Sequence, residues 1–465
     1  MARLVSERPS AAVLTAGGGR ALASVRRSGG LLAAVLAAAG VGLIPLWWHW
    51  TVVDSGSHGI IAVFTEVGVY PSDICVAVLA LPVLARAGAL HAASRWIAAG
   101  LTALAAAALA SARWAIDPTL TCAVAGQLAT LGLAWLSLRA VHAPRVAIVA
   151  ALVGSAVVES GLAAAQFVVQ QPLVPPELAL PWLPTDAAGS GAPVILSPTG
   201  DRLLRGFGTF PHPNVLGGYL ALALVCLPVL AERWPRKAAL WWAVGAVIIV
   251  GLVGSFSRGA WLAVIFAFGV RSWIGAQQGR ARWWLAPLVI LATAALLVAS
   301  PLRTIMGERL LPFTAEAGPL ERGSIEHRLA LDRAALLEVH DHWPSGVGGG
   351  NYGVAAIAEG HQQGWGEPAP NVGLLTIAEL GMPGAIALIC IAFGILRLFR
   401  AGGRPDLALA GAFVALAVLS MVDHFLWSMP LGRIMGWIPF ALAAAARPAS
   451  GLSDACASGS TRAHP

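Results

Sequence analysis

The chain has 465 residues, of which 57% are hydrophobic and 11% charged, with a net charge of +7 and a mean hydropathy of +0.74. Soluble domains carry about 25% charged residues, so this composition excludes a soluble globular protein and indicates that lipid surrounds much of the surface. The basic residues lie in short clusters between apolar runs, which is typical of membrane topology rather than of nucleic-acid binding. The five cysteines form no Cys-x-x-Cys pair and no Cys/His spacing, so we predict neither a disulfide framework nor a zinc site.

Hydrophobic runs recur along the chain and predict an all-α polytopic membrane protein with about twelve transmembrane helices. Residues 1–30, which are rich in arginine, are predicted to be a cytoplasmic N-terminus ahead of an uncleaved first span. Residues 31–446 form the transmembrane domain, and residues 447–465 are predicted to be a disordered cytoplasmic tail. The predicted spans are Leu31–Trp50, Pro71–Ala89, Trp96–Ala112, Leu120–Leu138, Val146–Val169, Asn214–Ala231, Ala239–Val253, Gly259–Ile274, Trp284–Ala299, Val372–Leu398, Leu407–Val422 and Met429–Ala446.

Arginine and lysine recur in every second connection between these spans, which gives the orientation by the positive-inside rule. Both termini are then cytoplasmic. Two long connections, 170–213 and 301–371, are predicted to be extracytoplasmic loops, the larger one between spans 9 and 10. Apolar residues at helical spacing predict an amphipathic helix over Ile325–His340 in the larger loop, with Ser324 as its N-cap.

Asp201–Asn214, DRLLRGFGTFPHPN, is a polar and glycine-rich stretch at the end of the first long loop. Polar and ionisable groups beside hydrocarbon are costly and mark functional sites. On the same predicted face, Arg258 lies in the tight turn SFSRGA. Arg205 and Arg258 make a plausible diphosphate clamp, because a guanidinium binds phosphate oxygens bidentately and stays charged. The alternatives are a solvated loop arginine for Arg205 and a snorkelling interfacial arginine for Arg258.

Other polar groups on this face have structural alternatives as well. His212 lies between two prolines and could be a rigid turn residue, and Asp423 and His424 could be a satisfied pair at a helix end. Gly346–Asn351, GVGGGN, lacks a Walker lysine and a preceding strand, so a turn between helices is favoured over a phosphate-cradling loop.

The motifs RGFGTFPHPNVLGGYLA, SFSRGAW, GVGGGNY and PNVGLLTIAELGMPG, in this order, resemble the O-antigen ligase and O-antigen polymerase superfamily over about Arg205–Trp437. The resemblance implies a GT-C-like, metal-independent, inverting glycosyltransferase that needs no cofactor. It implies transfer of a glycan from undecaprenyl diphosphate to a glycan, lipid or protein acceptor at the extracytoplasmic face. Arg205 and Arg258 would bind the diphosphate with Arg328 as a third contact, and His212, Asn214 and Asn371 would add substrate contacts.

The family usually has a His-Asn pair where the large loop re-enters the membrane, and that histidine is the expected base for the acceptor hydroxyl. Here Pro370 precedes Asn371, and proline cannot accept a proton. The candidates for a substitute base are His361, Glu367, His424 and His327, with His361 favoured because it is nearest along the chain. A glutamate would need a raised pKa for this role.

Two other function classes stay open at this point. A transporter or flippase of lipid-linked sugar usually shows inverted repeats and charges near the midplane, and here only Glu66 and Glu159 are candidates for such charges. An inactive envelope scaffold is the other alternative, and Pro370 motivates it.

Overall fold

The computed structural model describes residues 29–54, 62–81, 92–141, 144–174, 193–196, 200–279, 319–362, 366–401 and 406–445. The predicted cytoplasmic N-terminus, apart from its last two residues 29 and 30, and the predicted C-terminal tail lie outside the described residues. The elements in chain order are α1 (Gly29–Gly42), β1 (Trp50–Asp54), α2 (Ala62–Thr65), β2 (Glu66–Val69), α3 (Pro71–Ala80), α4 (Ala92–Ser111), α5 (Pro118–Val141), α6 (Arg145–Val169), β3 (Val194–Leu196), β4 (Arg202–Leu204), α7 (Pro213–Cys226), α8 (Pro228–Arg233), a 3-10 turn (Pro235–Lys237), α9 (Ala238–Gly254), α10 (Arg258–Gln277), α11 (Pro319–Asp341), α12 (Tyr352–Ala358), α13 (Val372–Ala401), α14 (Leu407–Val422), α15 (Phe425–Ser428) and α16 (Pro430–Ala445).

The fold is a helical membrane bundle, as the hydrophobic runs predict. Seven helical stretches in the described part are long and apolar enough to cross a membrane: Ser94–Ser111, Pro118–Ala140, Arg145–Val169, Pro213–Arg233, Pro235–Gly254, Arg258–Gln277 and Val372–Arg400. The helices at the first, second, eleventh and twelfth predicted spans are shorter, and Trp284–Ala299 lies outside the described residues. The number of twelve spans and the position of the large loop between spans 9 and 10 therefore stay predictions.

Two short hairpins depart from the all-α prediction. Strand β1 pairs antiparallel with β2, and β3 pairs antiparallel with β4. The first predicted span was drawn to Trp50, but α1 ends at Gly42 and Trp50 begins β1. An apolar run does not by itself distinguish the end of a helix from a strand rich in Trp, Thr and Val, and this is why the boundary was missed.

Helix α7 lies at the centre of the bundle. All of its residues are buried except Asn214, near its N-terminus. The helices α6, α9, α10 and α14 pack around it. Gly217 and Gly218 permit this close packing, because a Cβ on Gly217 would lie 2.6 Å from the Ser257 Cβ. Helix α7 therefore fixes the position of the polar stretch Asp201–Asn214, which leads into it, relative to the bundle.

The described part of the large loop contains one long helix, α11, which confirms the predicted helix but not its predicted apolar face. Leu331, Ala334 and Ala335 are buried, whereas the predicted apolar positions Leu329 and Leu336 are 51% and 56% exposed. The predicted N-cap Ser324 is wrong, because the helix already begins at Pro319 and contains Ser324. Proline is favoured in the first turn of a helix, where its missing N–H costs nothing. A turn at residues 342–351 connects α11 to α12, and α13 then enters the bundle with a kink at Gly381, where φ is 59°.

Candidate functional site

Arg205 is held against the turn that precedes Arg258. Its side chain is 7% exposed, and its Nε donates a hydrogen bond to the Ser255 carbonyl at 2.9 Å. The next residue, Gly206, donates its N–H to the Gly254 carbonyl at 2.9 Å. The two motifs that the sequence analysis singled out are therefore in direct contact. Arg258 follows this turn as the first residue of α10, where a helix N-terminus favours an anion.

The turn before Arg258 has a strained backbone. Phe256 has a φ of 49°, in the left-handed region, which is a genuine outlier for a bulky residue. Such a conformation costs on the order of 1–3 kcal/mol and persists only where the surroundings determine it. The Phe256 ring is fully buried and packs on Phe167, with the ring centroids 5.4 Å apart. The buried ring and the two contacts from residues 205 and 206 hold this turn in one geometry.

Helix α6 anchors the glycine-rich part of the polar stretch Asp201–Asn214. The Gln166 Oε1 accepts hydrogen bonds from the N–H groups of Phe207 at 3.0 Å and Gly208 at 2.8 Å, and its Nε2 donates to the Gly208 carbonyl at 2.7 Å. Glu159 accepts from the N–H and the hydroxyl of Thr209 at 2.8 and 3.0 Å. The sequence analysis did not select Gln166. Gln166 could have been found in the sequence as a polar side chain within an apolar helix, because such a side chain needs a hydrogen-bond partner there.

Asn214 joins Arg205 to the last turn of the site. Its Oδ1 accepts a hydrogen bond from Arg205 Nη2 at 2.8 Å, and its Nδ2 donates to Asp423 Oδ2 at 2.9 Å. The same Asp423 oxygen lies 3.8 Å from Arg328 Nη2, and Arg328 also donates to the Val422 carbonyl. Residues from α7, α11 and the end of α14 thus meet at one point. Among the predicted site residues, the structure brings Arg205, Asn214 and Arg328 together here.

The charges of this group fit one another. Burial alone would raise the pKa of Asp423, but His424 in its protonated form, the charge of Arg328 and the hydrogen bond from Asn214 lower it below its ordinary value. Burial, with the charge of Arg205, lowers the pKa of His212 to about 3. The neutral His212 caps α7, since its Nδ1 accepts the Asn214 N–H at 3.1 Å. This contact supports the structural alternative of a rigid turn residue, and its role in substrate binding stays a prediction.

His424 lies next to Asp423, at the end of α14. Its Nδ1 shares a hydrogen bond of 2.7 Å with Ser428 Oγ, and in the described part of the chain its Nε2 makes no hydrogen bond. Burial and the charge of Arg328 lower the pKa of His424, whereas the charges of Asp423 and Glu367 raise it. The net effect is a pKa below the ordinary histidine value. The imidazole is therefore neutral at neutral pH and can accept a proton. Glu367 forms a 2.7 Å hydrogen bond with His327.

His361 and Asn371, two further predicted site residues, make other contacts. His361 Nδ1 donates to Glu338 Oε1 at 2.8 Å, and this hydrogen bond raises the pKa of His361. Asn371 directly precedes α13, and its Oδ1 accepts the N–H of Leu374 at 3.0 Å. The structure thus turns His361 toward the end of α11, and the catalytic role that its position suggested stays a prediction.

Two groups of side chains around His361 are close enough together to hold a metal ion: Glu338, His342 and Glu359, and Asp341, Glu359 and His361.

A cavity of about 460 Å³ adjoins His424. Ser428 and Phe64 both line the cavity, and both contact the His424 side chain. Its polar lining includes Asp73, Gln127, Glu379 and Arg433 from four helices and Glu66 from β2. The rest of the lining is mainly apolar. Sequence reasoning missed this cavity, because helices distant in sequence form it.

Glu379 is the main buried group that sequence reasoning missed. Its Oε2 accepts hydrogen bonds at 2.7 Å from the Gly350 N–H and from Trp427 Nε1. Asn351 is fully buried and bonds to the backbone of Asp117 through both atoms of its amide. The GVGGGN segment is therefore a packed turn that fastens α5 to α13, as the structural alternative predicted. The signal for Glu379 was a single carboxylate within an apolar span.

The family model described as O-antigen ligase matches residues 243–389. This segment contains Arg258, Arg328 and Asn371, whereas Arg205, Asn214 and Asp423 lie outside it and are brought to it by folding. No curated protein compared with the chain matches it. The resemblance carried by the sequence motifs is thereby confirmed over residues 243–389, which match an O-antigen ligase domain, in a chain whose apolar helices indicate a multi-pass membrane protein.

Proposed function

We propose that the protein transfers a glycan from undecaprenyl diphosphate to an acceptor hydroxyl at the extracytoplasmic face of the bacterial inner membrane. The observation that carries the proposal is the meeting of Arg205, Arg328 and the turn before Arg258 around the Asn214–Asp423 contact. The O-antigen ligase domain supports a role in cell-envelope glycan transfer. The positive-inside pattern supports the extracytoplasmic face and two cytoplasmic termini.

In the proposed reaction, the acceptor oxygen forms a bond to the anomeric carbon as the bond from that carbon to the diphosphate oxygen breaks. The lipid diphosphate leaves with the electron pair, and the anomeric configuration inverts. Arg205, Arg258 and Arg328 stabilise the charge that develops on the diphosphate, so the arginines can do this without a metal ion. Such preorganised donors contribute several kcal/mol in a partly dry site, typically about 3–4 kcal/mol each.

His424 is the base that we propose for the acceptor hydroxyl, in place of the histidine missing at Pro370. Its lowered pKa keeps the ring neutral, and its Nε2 can take the proton. The hydrogen bond that Nδ1 donates to Ser428 Oγ fixes the ring in the tautomer with an unprotonated Nε2, and the adjacent cavity supplies a space for the acceptor substrate. The acceptor can be a glycan, a lipid or a protein, since nothing in the cavity lining selects among these three classes. Glu367 and His361 are the alternatives.

The transporter alternative has little support from the two carboxylates that motivated it. Glu159 binds the Thr209 backbone and hydroxyl, and Glu66 begins strand β2, where it contacts Thr51 and His49. Both therefore have partners within the fold. Proteoliposomes that move lipid-linked sugar across the bilayer without transferring it would favour the transporter over the enzyme.

The test compares Arg205→Ala, Arg258→Ala and Arg328→Ala with the control Arg333→Ala in reconstituted proteoliposomes that contain a lipid-diphosphate glycan and an acceptor. Arg333 lies on the exposed side of α11, so its loss leaves the site intact. We expect the first three variants to lose roughly 100-fold or more in transfer rate and the control to keep the wild-type rate. Wild-type rates in folded Arg205 and Arg258 variants would refute the diphosphate role.

A further inference from the structure

The end of α11 and the turn after α12 bring together two histidines and three carboxylates. Glu338, Asp341 and His342 come from the end of α11, and Glu359 and His361 follow α12. The reaction proposed above, with His424 as the base, makes no use of this cluster. The cluster also escapes a search for Cys/His spacing in the sequence, because it contains no cysteine and its two parts are joined only by the fold.

The geometry of the cluster centres on His342. Its Nε2 lies 2.8 Å from Glu359 Oε1 and 3.6 Å from Glu338 Oε2. One ligand atom from each of Glu338, His342 and Glu359 can be chosen so that all three lie within 4.8 Å of one another. Ligand atoms bound to one tetrahedral zinc at about 2.1 Å are about 3.4 Å apart. The distances from His342 Nε2 to Glu359 Oε1 and to Glu338 Oε2, 2.8 and 3.6 Å, lie below and above this value.

Glu338 provides a second and independent indication of a ligand. Its side chain has no exposed surface, and its Oε2 is buried without a hydrogen-bond partner in the structure. A buried carboxylate oxygen without a hydrogen bond is costly, and such an exception in a folded protein requires an explanation such as an ion. The other oxygen, Oε1, accepts the hydrogen bond from His361 Nδ1 at 2.8 Å. His361 thereby orients Glu338 so that Oε2 points toward His342.

We propose that His342, Glu338 and Glu359 bind a divalent transition-metal ion of the zinc type as a structural site. Imidazole together with carboxylate suits zinc and similar ions, whereas magnesium and calcium prefer oxygen ligands alone. His361 is the outer partner that orients the Glu338 carboxylate, an arrangement that commonly supports metal-bound carboxylates. Water completes the coordination. A cavity of about 450 Å³, lined by His342, Glu359 and Trp114 among others, gives the ion access from solvent.

The position of the site indicates what the ion does. It joins the C-terminal end of α11 to the turn after α12, while the middle of α11 is held to α14 by Arg328. The ion thus fixes α11 at a second point along its length. The competing explanation is a purely ionic cluster, in which a protonated His342 sits between two carboxylates and no metal binds.

The test uses the full-length protein in detergent, purified with a tag that contains no histidine. Metal content is measured by mass spectrometry before and after chelator treatment, and zinc, cobalt or magnesium is titrated into the chelated protein while the melting temperature is recorded. The variants are His342→Gln, Glu359→Gln and His361→Gln. His340→Gln is the control, because His340 is on the same turn but its side chain is 84% exposed and contacts Asp341.

We expect about one zinc per chain in the wild type and in His340→Gln. The melting temperature of both should rise with zinc or cobalt but not with magnesium, because an ion that binds only the folded state stabilises it. His361→Gln should weaken zinc binding by about 10- to 100-fold, as loss of an outer partner does, and the two ligand variants by more. Absence of retained metal together with no response to zinc would overturn the proposal. Equal zinc affinity in the control and both ligand variants would also overturn it. If His342→Gln does not fold, Glu359→Gln decides, since its side chain is one-third exposed. Because the readouts are metal content and melting temperature, the outcome is independent of glycan transfer.

Discussion

Arg205 and Asp423 contact the same side chain, the amide of Asn214, from opposite ends. Arg205 donates to its oxygen at 2.8 Å, and its nitrogen donates to Asp423 at 2.9 Å. An amide is suited to this position because it carries an acceptor and a donor on one planar group. A carboxylate at residue 214 would repel Asp423, and an alkyl group would leave both charges without this partner. Asn214 therefore sets the distance between a cation of the first long loop and an anion at the end of α14.

Replacing Asn214 with Ala should lower the transfer rate by roughly 10- to 100-fold, because a hydrogen bond to a charged group contributes about 1.5–3 kcal/mol. The measurement is the rate in proteoliposomes for Asn214→Ala, for Asp423→Asn and for the double variant. If the three residues act as one unit, the double variant should lose little more than either single variant. Losses that multiply would show that Asn214 and Asp423 act separately.

The pH dependence should identify the base. If His424 takes the proton, the rate falls as the pH drops through the His424 pKa, and this acid limb should lie below the ordinary histidine value of about 6.5, since burial and Arg328 lower that pKa. Asp423 and Glu367 oppose the lowering, so Asp423→Asn and Glu367→Gln should each move the limb to still lower pH. His424→Gln should abolish the limb. A limb that moves to higher pH in Asp423→Asn would exclude His424 as the base.

Gly208 should not tolerate a side chain. Its φ is +63°, and an added Cβ would lie 2.1 Å from the Glu159 carboxylate that holds Thr209. We expect Gly208→Ala to lower both the melting temperature and the transfer rate, with a stability loss of about 1–3 kcal/mol from backbone strain alone. Gly161→Ala on α6 is the matched control. A Cβ there meets nothing within 4 Å, so this variant should be neutral or slightly stabilising. A loss in the control equal to that in Gly208→Ala would contradict the expected contact.

Glu379 should matter for stability more than for chemistry. Glu379→Leu leaves the buried Trp427 Nε1 without an acceptor, at about 1–3 kcal/mol, and also removes the acceptor of the part-buried Gly350 N–H. Glu379→Gln keeps an amide oxygen that can accept from one donor and should be milder. Thermal unfolding in detergent measures both variants. Equal melting temperatures for the leucine variant and the wild type would show that this carboxylate does not fasten the GVGGGN turn.

The sequence predicted the elements of the site better than their connections. Arg205 was selected because a polar and charged stretch stands out beside apolar sequence, and Asn214 and Arg328 were selected through the family resemblance. Their joint contact through Asp423 could not be predicted, since hydropathy shows which ends of helices share a face but not which side chains meet. Glu379 and Gln166 were passed over, although a lone polar residue within an apolar run was the available signal.

The fold was predictable where hydrophobic runs are long and less so where they are short. The helices α4 to α6 lie close to their predicted bounds, whereas the hairpin of β1 and β2 was read as the end of a span. His361 is nearest to the missing histidine along the chain, but the turn after α12 directs it to Glu338. Proximity in sequence is a weak guide inside a loop that folds back on its own helix.

Asp423 places a resident anion among the arginines that we propose as the diphosphate site. Cleavage of a glycosyl diphosphate leaves a lipid diphosphate with one more negative charge than the substrate, and the same cations bind it more tightly. Because Asp423 competes for Arg328, it weakens the hold on the departing product. We therefore expect turnover to be limited less by product inhibition in the wild type than in Asp423→Asn, where added lipid diphosphate should inhibit at lower concentration.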